Sequence, residues 1–130
     1  METRTIGWAD VVQQLFDIEN TLPDRTNPST LSTDGNLVCL YNGDDGEHCI
    51  VGQALAQLGL DTSKLIEGSA IGSAVYLYES DGVTFEPAAI DLLQQAQRAA
   101  DGFETLGFTR VSKPRTWGQV IDILRFTGVL

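Results

Sequence analysis

The chain is short of the residues on which most chemistry depends. Its 130 residues include one histidine, two cysteines, one methionine and only eight Lys or Arg, against eighteen Asp or Glu. Two cysteines are too few for the disulfide framework of a small secreted domain, and in a reducing cytosol both are thiols. No apolar run approaches the roughly 20 residues of a membrane-spanning helix, so no membrane partner is expected. The opening METRTIGW lacks the basic-then-apolar pattern of a secretion signal, and the expected location is the cytoplasm. A phosphate-binding glycine loop, a dinucleotide fingerprint and a nucleophile elbow are all missing, and no cofactor is expected. The shortage of cations is uneven. Residues 1–60 carry nine acidic and two basic side chains, 61–102 seven and two, and 103–130 two and four. A net charge of −10 makes direct binding to duplex DNA or an anionic membrane unfavourable over the first two-thirds of the chain. It suits solubility, a basic protein partner, or mimicry of nucleic acid.

What is present is an ordinary globular composition. An apolar fraction of 42% over this length fits one domain, residues 1–130, around a single core. The densest stretch is residues 37–60, LVCLYNGDDGEHCIVGQALAQLGL, which holds both cysteines and the histidine. It reads as a buried strand over 37–41, an acidic turn, and a helix starting near Cys49 with Ile50, Val51, Ala54, Leu55 and Leu58 on one face. Gly59 falls at the position after the helix cap and Leu60 closes a Schellman-type end.

Elsewhere the periodicity predicts a first helix capped by Thr5, with Trp8, Val11, Val12, Leu15 and Ile18 buried and Leu22-Pro23 ending it. Residues 23–35 have loop composition. Asp61 or Thr62 caps a further turn through Leu65 and Ile66. Residues 69–85 admit two readings: a helix with Ala70, Ile71, Ala74, Val75 and Tyr78 on one face, or a hairpin of 75–78 with 83–85; the helix is favoured. Glu86-Pro87 opens a long helix with Ile90, Leu93, Ala96 (or Gln97) and Ala100 inward, stopped by Gly102. A second strand over 106–111 and the basic connector Lys113-Pro114-Arg115 follow. Thr116 and Gln119 form a capping box for a last helix that buries Trp117, Val120, Ile121 and Leu124. The expected fold is mainly α (α+β), with about five helices around one core and a minor two-stranded sheet from 37–41 and 106–111.

Candidate chemistry centres on the same stretch. A thiol at a helix N-terminus, beside a histidine, is the setting in which thiolates form, so Cys49 with His48 is the candidate catalytic pair. The acidic turn opposes the thiolate, and a structural cysteine is the competing reading. Cys39, His48 and Cys49, with Asp44, Asp45 or Glu47, are the candidate metal ligands, but ten-residue cysteine spacing is unlike a C-x-x-C site. The Asn42 to Glu47 turn also lacks the ligand ladder of an EF-hand. Residues 53–66 resemble a helix-turn-helix, yet the second helix would offer only Lys64, followed by Glu67 and Gly68, to a nucleic acid.

Cys49-Ile50-Val51-Gly52-Gln53-Ala54-Leu55 followed by Leu58-Gly59 resembles small uncharacterised proteins of actinobacteria and their phages. So, in order, do Phe85-Glu86-Pro87, Ala96-Gln97-Arg98 with Asp101-Gly102, and Thr116-Trp117-Gly118. The resemblance spans about residues 37–125 and is interrupted by the strand-like segment 103–115. It implies an actinobacterial or phage-encoded cytoplasmic accessory protein, and no reaction. Together these observations lead to the expectation of a non-enzymatic acidic interaction module acting on a host or phage protein. Its surface would be the 23–35 loop, the 42–48 turn or the basic 110–115 connector. The rival readings are an enzyme using Cys49 and His48, and a nucleic-acid binder or mimic.

Overall fold

The computed structural model describes residues 3–27, 29–31, 37–39, 41–42, 48–65, 71–101, 103–106, 109–112 and 115–130. Five α-helices are found among them: α1 Trp8–Thr21, α2 Ile50–Gln57, α3 Ile71–Ala74, α4 Pro87–Asp101 and α5 Trp117–Phe126. Two 3₁₀ helices, Thr62–Lys64 and Val75–Asp81, add to them. Six short strands complete the set: β1 Arg4–Ile6, β2 Ser29–Leu31, β3 Leu37–Cys39, β4 Val83–Phe85, β5 Phe103–Leu106 and β6 Thr109–Ser112. The protein is mainly α with minor sheet, as the periodicity predicts.

The strands pair differently from the expectation. The segments within 37–41 and 106–111 do form strands, but not with each other. β3 pairs antiparallel with β2, and β6 with β5, each a local hairpin. Local pairing costs less loop-closure entropy than joining strands some seventy residues apart. Part of the 23–35 segment, Ser29–Leu31, is therefore strand. The long-range sheet is instead parallel, β1 with β4, with Arg4 opposite Val83 and Ile6 opposite Phe85. Residues 75–81 are helical, so the favoured reading of 69–85 holds for the described part, and 83–85 is a strand whose partner is the chain start.

Thr5 does not cap α1. It lies inside β1, with its hydroxyl 3.4 Å from that of Thr84. The cap falls at Gly7, whose N–H donates to Asp10 Oδ2 at 2.8 Å. The α2 end is the expected Schellman motif: Gly59 adopts φ +84°, its N–H reaches Ala56 O at 3.0 Å, and Leu60 N–H reaches Leu55 O at 3.1 Å.

One apolar cluster forms the core. It draws Val11, Leu15 and Ile18 from α1, Ile50, Val51, Ala54 and Leu55 from α2, Leu92, Leu93 and Ala96 from α4, and Trp117, Val120, Ile121 and Leu124 from α5. Trp8 departs from its expected place and is 42% exposed. The buried line of α1 runs through Val11, Leu15 and Ile18, leaving Trp8, Val12 and Phe16, four apart, as a half-covered shoulder. The α4 stripe is rotated in the same way. Ala89, Leu92, Leu93, Ala96 and Ala100 are buried, whereas Ile90 is only partly covered.

Trp117 is buried completely because the segment after α1 folds over it. Its N–H donates to Arg25 O at 2.7 Å, Gly118 N–H donates to Pro23 O at 2.9 Å, and its indole N–H donates to Asn27 Oδ1 at 2.9 Å. The Arg25 guanidinium lies 5.9 Å from the ring centre. Asn27 Oδ1 also accepts from Ile50 N–H at 2.8 Å, so one side chain ties the starts of α2 and α5 together.

Candidate functional site

The Cys49 and His48 pair is built into the scaffold. Cys49 is wholly buried as the cap of α2, its sulfur accepting from Gly52 N–H at 3.4 Å. His48 is half-buried, and its Nδ1 lies 3.0 Å from Tyr41 O. A carbonyl only accepts, so Nδ1 carries the proton in that bond. Both groups are thus engaged with backbone, and burial denies a substrate access to the sulfur. Gly52 belongs to the same joint: a Cβ there would lie 2.8 Å from Tyr41 O.

Among the described residues no three His, Cys, Asp or Glu side chains gather as a metal site. The Cys39 side chain, Asp44, Asp45 and Glu47 lie outside the described residues. The helix-turn-helix resemblance stops at the turn. From Gly59 to Leu65, where the described residues of this segment end, the helical structure is the three-residue 3₁₀ helix Thr62–Lys64, too short to lie in a major groove, and Lys64 is paired with Asp81. In the basic connector, Arg115 donates to Ala99 O at 2.8 Å and its N–H reaches Ala100 O at 3.2 Å. Its charge thus completes the C-terminal end of α4. Lys113 and the Arg110 side chain lie outside the described residues.

The site the geometry offers is elsewhere. A groove of about 400 Å³ opens between the Val75–Asp81 3₁₀ helix, β4 and the first turns of α4. Tyr76 and Glu79 form one wall, because residues three apart eclipse one another on a 3₁₀ helix. Pro87, Ile90, Asp91 and Gln94 form the other, at the spacing of a single α-helical face. Thr84 and Phe85 lie between, with Val75 behind. Ile90 is in this wall because the α4 stripe is rotated away from it.

The groove has a rigid base. The Phe85 ring stands 6.3 Å from that of Tyr78, tilted by 51°. Tyr78 is buried and its hydroxyl donates to Asp61 O at 2.8 Å. Burial, with the Asp61 and Asp81 carboxylates behind it, pushes that hydroxyl up to about 12. Parallel pairing with β1 holds Phe85 from the other side, and Glu86 N–H donates to Ile6 O at 2.9 Å.

The rim is unlike the base. Tyr76 is 61% exposed, and Glu79 and Asp91 are both open to solvent. Asp91 accepts one neutral bond, from Gln95 Nε2 at 2.8 Å. Among the described residues that line the groove none is Lys or Arg, and no described ion pair involves Glu79 or Asp91. The arrangement can therefore hold an apolar or planar group against Tyr76 and Phe85 while two carboxylates face it.

The sequence pattern does not single these residues out. Tyr76, Glu79 and Asp91 fall on the polar side of their helices, where an aromatic or acidic residue is ordinarily a solvated one. The signal was Tyr76 itself, a large aromatic off the apolar stripe. Comparison of the chain with protein-family models, with curated proteins and with solved structures finds no match.

Proposed function

We propose that the protein is a non-enzymatic, acidic interaction module that engages another protein through the groove between the 75–81 helix, β4 and α4. The observation that supports this reading is the combination of exposed Tyr76 with Glu79 and Asp91, which no ion pair among the described residues engages, beside Phe85. Aromatic side chains in a concave, partly apolar site are the usual anchors of protein recognition. The cysteine enzyme is the weaker reading, since Cys49 is buried and caps a helix. The nucleic-acid binder is weaker too, because the chain is acidic and no recognition helix follows Gly59 among the described residues. The motifs around Cys49 and Trp117 support a phage or actinobacterial accessory role, in the cytoplasm of the cell, with a host or phage protein as partner.

Affinity capture from an actinobacterial lysate, with the native chain and a Tyr76→Ala, Asp91→Lys chain as parallel baits, tests the proposal. A partner enriched by the native bait and lost from the variant is expected. A partner retained by the variant would move the interface away from the groove, and no enrichment by either bait would overturn the module itself.

A further inference from the structure

The chain already contains one worked example of how it holds a cation. The Arg125 guanidinium lies 5.1 Å from the centre of the Phe16 ring and makes two bonds to the Glu19 carboxylate, at 2.6 and 2.7 Å. An aromatic face and a carboxylate together match both properties of a guanidinium, its flat polarisable plane and its fork of donors. The groove presents the same two components, and among the described residues that line it there is no cation. Tyr76 and Phe85 supply the rings, and Glu79 and Asp91 supply the carboxylates from opposite walls.

We propose that the groove is an arginine-binding site: the anchor of the partner is an arginine side chain, stacked on Tyr76 or Phe85 and paired with Glu79 and Asp91. This rests on the reading of the groove as the interface. Arginine is preferred to lysine because a compact, strongly hydrated ammonium forms a point contact and gains less from an aromatic wall. The cavity, about 400 Å³, is at the small end of ligand pockets and accepts one or two side chains of an extended segment. The net charge of −10 draws a basic segment towards the chain, whereas the groove sets where it stops.

The test is a titration of the isotope-labelled chain with blocked Ala-Arg-Ala-Arg-Ala, followed by amide chemical shifts, with Lys and Gln versions of the peptide as controls. Saturable shifts confined to residues 75–79, 84–85 and 87–94 are expected, with the Lys peptide several-fold weaker and the Gln peptide without effect. The Glu79→Gln, Asp91→Asn chain should bind the Arg peptide about tenfold more weakly. Both substitutions are at solvent-exposed positions, so its spectrum outside the groove should be unchanged. Equal binding of the Arg and Lys peptides, or equal binding by native and variant chains, would show general attraction to an acidic surface and overturn the proposal. No shift in the groove with the Arg peptide would also overturn it. If partner capture still depended on Tyr76 in that case, the interaction module would stand and only the arginine anchor would fall.

Discussion

At the scale of single residues, the tightest constraint is at Gly52. On helix propensity alone, alanine there should stabilise α2 by about 1 kcal/mol. The close Tyr41 carbonyl reverses the sign, because a methyl group at 2.8 Å forces backbone apart. Gly52→Ala is expected to destabilise the fold by about 1–3 kcal/mol in urea unfolding, and a stabilised variant would contradict the joint described. Asn27 is the second such residue. Asn27→Ala strands the Ile50 N–H and the Trp117 indole N–H, at a cost of about 1–3 kcal/mol. Asn27→Asp keeps the acceptor and should cost less by the same denaturation measurement. Tyr78 gives a pH prediction. Its hydroxyl rises from 10.0 to about 12, so the folded chain holds that proton more tightly than the unfolded one. The contribution is complete below about pH 10 and lost as pH rises through about 12. Tyrosinate absorbance should show the Tyr78 step only as pH approaches about 12, and alkaline unfolding should shift with it.

At the scale of elements, the sequence was most legible where a local rule fixes the backbone. The capping box of Thr116 and Gln119, the proline at the start of α4 and the Schellman end at Gly59 all stand where their residues place them. Nothing lies within 4 Å of a Cβ at Gly59, so Gly59→Ala costs only the left-handed backbone. About 1 kcal/mol is expected by thermal or urea unfolding, with Gly59→Asn costing less. Pairing and facing were less legible, because they depend on what arrives from far away. Trp8 and Trp117 head apolar sets of identical spacing, yet only Trp117 has residues 23–27 laid across it. Nothing local to Trp8 reveals that its cover is missing. Arg4–Ile6 likewise is too short to read as a strand without its partner Val83–Phe85.

At the scale of the whole molecule, the residues that look chemical and the residues that line the groove are different sets. The cysteine, histidine and tryptophan motifs are joints: Cys49 caps α2, His48 holds Tyr41 O, and Trp117 and Gly118 receive residues 23–27. The groove is assembled from two helical faces and a strand that meet only after folding, and its aromatic and acidic residues are unremarkable along the chain. Among the described residues no helix is long and apolar enough to cross a membrane. Acidity is spread over residues 1–102, whereas the juxtaposition of Tyr76, Phe85, Glu79 and Asp91 is local, and a local feature is what specificity requires.

The most direct test of the proposed groove interface is site-specific photo-crosslinking in an actinobacterial lysate, with the reactive amino acid placed once at Tyr76 and once at Phe126. Both positions are exposed, Phe126 more so at 93% against 61%. A discrete adduct from position 76 and none from position 126 is the predicted result. An adduct from position 126 with none from position 76 would contradict it.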